Sequence, residues 1–173
     1  ATDAAPLAGA HRAKCERRYQ VRPLRGIMCH EAGLRILIGT MAREMAKFDK
    51  GLRPMLSFSA DHYFRTYLQV MDGANNADEA LKNLIYIAFD PVTLERSYSY
   101  EPDKEHIYGP FWGGRLFDKE HLAKMDAHDT CVERKCNKYL DLWKEEIDDI
   151  PLLYDMSEIS SFLKVTTPRI DTF

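Results

Sequence analysis

The sequence predicts an α/β fold: a helix feeding an antiparallel strand pair at the edge of a sheet, followed by a mostly helical tail. Three observations predict it. Residues 63–70 alternate, with Phe64, Thr66, Leu68 and Val70 on one face and Tyr63, Arg65, Tyr67 and Gln69 on the other. That is the period of a half-buried strand rich in aromatic and β-branched residues. Before it, residues 30–50 repeat apolar side chains at three- and four-residue steps, the spacing of a helix. From Asp118 the chain turns polar and again takes helical spacing.

In chain order, residues 1–26 are punctuated by Pro6, Gly9, Pro23 and Gly26 and read as a long irregular arm, a length that favours a functional loop over a mere connection. The helix over 30–50 carries Leu34, Leu37, Ile38, Met41, Met45 and Phe48 on its apolar face, with Gly51 as its C-terminal cap. Arg35, Gly39, Arg43 and Lys47 fall on another face and read as a solvated stripe. Met55 to Phe58 form a first strand, residues 59–62 turn the chain, and residues 63–70 return antiparallel. Residues 72–77 (DGANNA) read as a turn, and residues 78–83 as two helical turns at most. Residues 84–89 and 94–100 form a second hairpin, and residues 109–115 an aromatic loop held by glycines. In the tail, Leu122 and Met125 mark one helix; Val132, Cys136, Tyr139, Leu140, Trp143 and Ile147 mark another, stopped by Pro151. Asp155 and Glu158 have the spacing of a capping box ahead of Ile159, Phe162 and Leu163. Thr167-Pro168 opens a second short helix, so the tail reads as a helix-turn-helix that the end of the chain cuts short.

The chain has 173 residues, 45% hydrophobic and 29% charged, with a net charge of −3. No whole-chain charge recommends nucleic acid, but the charge is unevenly placed. Between Arg12 and Arg25 stand six basic residues (Arg12, Lys14, Arg17, Arg18, Arg22 and Arg25) against Glu16 alone, and phosphate neutralisation is a local matter. No apolar run approaches the roughly 20 residues of a membrane span. The N-terminal residues lack a basic leader and an apolar core, so no signal peptide is expected. The four cysteines do not make a disulfide scaffold and are expected to be reduced, in the cytoplasm.

Cys131 and Cys136, with His121 and His128 upstream, lack ligand spacing, and no metal is expected. Cys29, His30 and Glu31 are adjacent at a helix start and point in different directions, so they form no relay; the helix dipole accounts for Glu31. Asp61, His62 and Tyr63 sit at the turn of the strand pair, where His62 and Tyr63 can stack on a base or donate to phosphate, with Arg65 and Tyr67 in the same outer patch. Turn chemistry explains Asp61 equally well. The chain has neither a GxGxxG nor a GxxxxGK[ST] phosphate loop.

Five separate stretches resemble one family, the tRNA (guanine-26-N2)-dimethyltransferases: ATDAAPL (1–7), RPLR (22–25), CHEAGLRILIG (29–39), LSFSADHYFR (56–65) and GPFWGG (109–114). The resemblance implies a class I, Rossmann-like methyltransferase fold that uses S-adenosylmethionine to methylate the exocyclic N2 of guanine in tRNA. It makes residues 1–115 the C-terminal part of the methyltransferase domain and residues 116–173 the start of a helical domain. The strand pair becomes the sixth and antiparallel seventh strands. The cofactor-binding and catalytic motifs are implied to precede Ala1, so the chain alone is expected to be inactive and to have the missing N-terminal half as a partner. Thr2 and Asp3, after the fifth strand, are implied to line the base pocket with His62 and Tyr63. Arg12, Arg17, Arg18, Arg22 and Arg25 are the candidates for tRNA phosphates. The family often carries paired cysteines before the GP-aromatic-W loop; residues 87–106 contain none. A free-standing nucleic-acid-binding module, with a basic arm and a helix-turn-helix, is the alternative.

Overall fold

The computed structural model describes residues 4–60, 63–128, 132–146 and 152–167. After a run of turns the chain forms α1 (Arg12–Tyr19), α2 (Cys29–Ala46), β1 (Lys50–Ala60), β2 (Tyr63–Asp72), α3 (Ala74–Leu81), β3 (Leu84–Phe89), β4 (Arg96–Ser99), β5 (Tyr108–Trp112), α4 (Lys119–Ala123), α5 (Glu133–Glu145) and α6 (Met156–Leu163). It is an α/β arrangement with two small antiparallel sheets, β1-β2 and β4-β3-β5.

The hairpin β1-β2 runs from Lys50↔Asp72 to Ala60↔Tyr63, with a register shift between Pro54 and Leu56. On its predicted inner face Phe64 is buried and Thr66 and Leu68 are half-buried, while Val70 is 51% exposed. The second hairpin, β3-β4, forms as expected.

α2 organises the rest. It packs on β1, β2, β5, α1 and α3, and every residue from Ala32 to Ile36 is buried, as befits a helix enclosed on nearly all sides. One apolar cluster joins Leu7, Cys15, Val21 and Leu24 of the arm, Ile36 and Ile38 of α2, Leu56 and Phe64 of the hairpin, Ile87 and Phe111 of the second sheet, and Leu122, Leu140 and Leu152 of the tail. At Gly33 a Cβ would lie 2.7 Å from the Phe64 ring and 3.1 Å from the Leu7 backbone. Only glycine lets the hairpin and the start of the chain both close on α2 there.

Five expectations are corrected. The arm is not irregular: Arg12 to Tyr19 are helical, anchored by buried Cys15 and ended by Gln20 in the left-handed conformation. Gly51 does not cap α2 but lies in β1, where a Cβ would come within 2.2 Å of the Asn76 carbonyl oxygen. Of the stripe expected to be solvated, Lys47 is exposed and Arg43 half-buried, but Arg35 and Gly39 are buried. Arg35 is 1% exposed, and Gly39 is buried against Leu84 and the Trp112 backbone. Residues 74–77 are not turn but the start of α3, with the Asn76 side chain donating to the Asp72 carbonyl at 2.8 Å. Residues 109–112 are not loop but strand β5, paired with β3; the polar-looking glycines hid a strand supplied with partners only by the fold.

In the tail, Asp155 caps α6, its carboxylate accepting the Glu158 N–H at 2.7 Å. Trp143 of α5 stacks on Phe58 of β1 at 4.9 Å. Pro151, Cys131, and Pro168 with the second helix of the expected helix-turn-helix lie outside the described residues. Among the described residues, no helix is long and apolar enough to cross a membrane.

Candidate nucleic-acid interface

The basic arm folds onto the second sheet through a backbone bridge. Arg22 and Gly109 exchange both N–H···O bonds at 3.1 Å. This sets the Arg22 guanidinium over the Tyr108 ring, 5.1 Å from its centre, within the range of a cation–π contact. The Arg22 Nε is buried with no hydrogen-bond partner. Around this pair a cleft of about 310 Å³ is lined by Arg12, Arg22 and Arg25, with Phe89, Pro91 and Tyr108 as its apolar walls. Three cations and two aromatic rings converge there. A phosphate can be neutralised by the guanidinium groups while a base lies on a ring, the two contacts that sequence-tolerant nucleic-acid binding needs.

The other sequence-predicted residues distribute as follows. Arg17 is exposed on α1 and lines a shallow depression with His11, Lys14 and Arg12. Arg18 is exposed in the last turn of the same helix. Arg12 also pairs with Glu16 at 2.7 Å, an exposed contact one turn along that holds it weakly. Tyr63 opens β2 at the hairpin tip, with the Arg65 guanidinium 5.4 Å from its ring centre. Thr2, Asp3 and His62 lie outside the described residues. Phe64, next to Tyr63, and Leu7 both close on Gly33. Sequence reasoning missed Tyr108 and Phe89, the aromatic walls. Tyr108 stands beside the GPFW stretch, but no spacing links it to Arg22.

Two other constellations are structural. Glu31 accepts from Arg35 Nε at 2.8 Å and from the Leu152 backbone N–H at 2.7 Å. Its neighbours Cys29 and His30 do not share that network. Ser97 Oγ lies 2.9 Å from His106 Nε2, and His106 Nδ1 lies 2.8 Å from Asp103 Oδ2. Asp103 also accepts the backbone N–H groups of Glu105 and His106. These bonds hold its carboxyl below the usual range, the backbone bond from His106 foremost. They close the β4–β5 connection in the region without cysteines. Among the described residues no group of three or more His, Cys, Asp or Glu is placed to hold a metal ion.

The α/β architecture thus carries a cleft in which guanidinium groups and aromatic rings converge. A family model described as N2,N2-dimethylguanosine tRNA methyltransferase matches residues 1–173, and the chain belongs to that family. It is 42% identical over 177 residues to the tRNA (guanine(26)-N(2))-dimethyltransferase of Pyrococcus horikoshii and 41% identical over 177 residues to that of Pyrococcus abyssi, covering 99% of this chain and 46% of each relative. The solved complex of Trm1 from Pyrococcus horikoshii with S-adenosyl-L-methionine superposes with a TM-score of 0.89 at 42% identity, over 99% of this chain and 47% of that one. The chain thus spans about half the length of the relatives it matches.

The residues present do not fit a cofactor cradle. Every strand pairing among the described residues is antiparallel, and the sequence has no glycine-rich phosphate loop. Among the described residues no parallel βα unit of the kind that holds a nucleotide is formed.

Proposed function

We propose that this chain is the sheet-closing and RNA-facing part of an S-adenosylmethionine-dependent tRNA methyltransferase that acts on the N2 of guanine 26. The observation that carries the RNA-facing role is the cleft in which Arg12, Arg22 and Arg25 converge on Tyr108 and Phe89. Membership of the family supports the reaction class.

In this reading residues 1–115 complete the methyltransferase domain. The hairpin β1-β2, whose outer edges have no strand partner among the described residues, forms the closing strands of the sheet. Residues 116–173 begin a helical part that is seated on the sheet by Trp143 on Phe58. His62, Tyr63, Thr2 and Asp3 are the residues we assign to the base pocket. Arg17 and Arg18 extend the phosphate contacts along α1. The cofactor and the group that takes the amine proton belong to the residues that the longer relatives have in addition. The alternative, a free-standing module, rests on a helix-turn-helix whose second helix lies outside the described residues.

The test is direct. The chain is incubated with an unmodified tRNA transcript, with and without methyl-labelled S-adenosylmethionine. Salt-sensitive tRNA binding without methyl incorporation is expected. Methyl transfer by the chain alone overturns the division of labour, and absence of tRNA binding at low salt overturns the RNA-facing role.

A further inference from the structure

A second cleft draws on residues that flank the Arg22–Gly109 bridge in sequence. It is lined by Gln20, Arg43, Lys82, Tyr86, Tyr100 and Pro110 and encloses about 790 Å³. Gln20 stands two residues before Arg22, and Pro110 two residues after Tyr108, so the two clefts draw on the same two stretches of chain.

The chemistry of this cleft is unused by any contact described above. Arg43 donates to the Tyr19 carbonyl at 2.5 Å and to Thr40 Oγ1 at 3.3 Å. Both partners are neutral oxygens, and its Nε is buried without a partner. Burial holds its guanidinium pKa below the ordinary value, against the smaller opposing pull of Tyr86 and Glu44. Lys82 pairs with Glu79 in an exposed contact one turn away that an incoming phosphate can displace at little cost. Tyr100 is 76% exposed at the end of β4, a large ring held in water beside two cations. Tyr86 supplies a second ring from β3.

We propose that this cleft is a second RNA subsite. It holds one unstacked nucleotide of the tRNA, its base against Tyr100 and Tyr86 and its phosphate on Arg43 and Lys82. The proposal rests on the RNA-facing reading above and adds to it a base-stacking position beyond the arginines of the arm.

The full chain is titrated into labelled, unmodified tRNA transcript and, separately, into a fully paired RNA duplex. Tyr100→Ala is expected to weaken tRNA binding about tenfold, the loss of one base–aromatic stack, and to leave duplex binding unchanged. Tyr100→Phe keeps the ring and is expected to stay within about twofold of the parent. Because Tyr100 is exposed, an unchanged thermal midpoint is expected for both variants and separates stacking from unfolding. Arg22→Ala serves as the control for the first cleft. If Arg22→Ala weakens binding and Tyr100→Ala does not, the second subsite is refuted while the RNA-facing reading stands. If the parent chain binds no tRNA, both fall. Equal losses on tRNA and duplex overturn the base-stacking role, and tRNA binding that guanosine monophosphate abolishes only when Tyr100 is present assigns the cleft to a free nucleotide instead.

Discussion

Arg35 Nε donates to Glu31 Oε1 at 2.8 Å, and the same guanidinium donates through Nη1 to the carbonyls of Trp112 and Gly114 at 2.9 and 2.8 Å. Glu31 in turn accepts the Leu152 N–H. One buried ion pair therefore ties α2 to the end of β5 and to the tail. Removing one partner leaves the other charge buried and unpaired, which costs about 3–5 kcal/mol. Glu31→Ala and Arg35→Ala are each expected to lose that order of stability in urea unfolding. The double variant should lose less than the sum of the two, because the members of such a pair couple. Additive losses would show that the pair is not a unit.

Gly33 is the second structural test. A methyl group there meets the Phe64 ring and the Leu7 backbone, so Gly33→Ala is expected to destabilise by about 1–3 kcal/mol through overpacking. The companion variant Gly33→Ala/Phe64→Leu, which clears the ring, is expected to recover part of the loss. Circular-dichroism melts decide it.

The arm's electrostatics predict a salt slope. Arg17→Ala/Arg18→Ala is expected to flatten the log–log salt dependence of tRNA binding by about one to two units. Arg22→Ala and Arg25→Ala should each remove up to about one more. An unchanged slope for all four positions would mean that α1 and the cleft do not face phosphate.

Cys15 supplies a pH test. Burial, with the Glu16 charge as a lesser cause, pushes its thiol up to about 11 from an ordinary value near 9. The folded form thus holds a proton that the unfolded chain releases in that window. The stability this contributes is fully present below about pH 9 and is lost as the pH rises towards 11, at up to about 1.4 kcal/mol per pH unit for a single proton. Cys15→Ala is expected to flatten this alkaline fall in denaturant midpoint. In the native protein at pH 8, thiol reagents are expected to label Cys29 and Cys136 before Cys15.

Much of the fold was legible as local pattern. The alternation over residues 63–70 marks β2, the three- and four-residue steps mark α2, and the spacing of Asp155 and Glu158 marks the cap of α6. What could not be read was the side on which each helix meets the rest. Arg35 and Arg43 have the spacing of a wet stripe, and only the arrival of β5 and Tyr19 makes the first a buried donor and the second a half-buried one. The glycines at 109 and 113 look like loop until β3 pairs with the strand between them.

The sequence by itself determined the α/β class, the family and the basic character of the arm, because periodicity, composition and motif order are properties of neighbours along the chain. The tertiary structure alone decided that Arg22 lies over Tyr108, that Arg12 and Arg25 share its cleft, and that Arg43 lines the next one together with Tyr86 and Tyr100. Those partners are brought together by the packing of arm, helix and sheet around one core, and no spacing along the chain encodes that convergence.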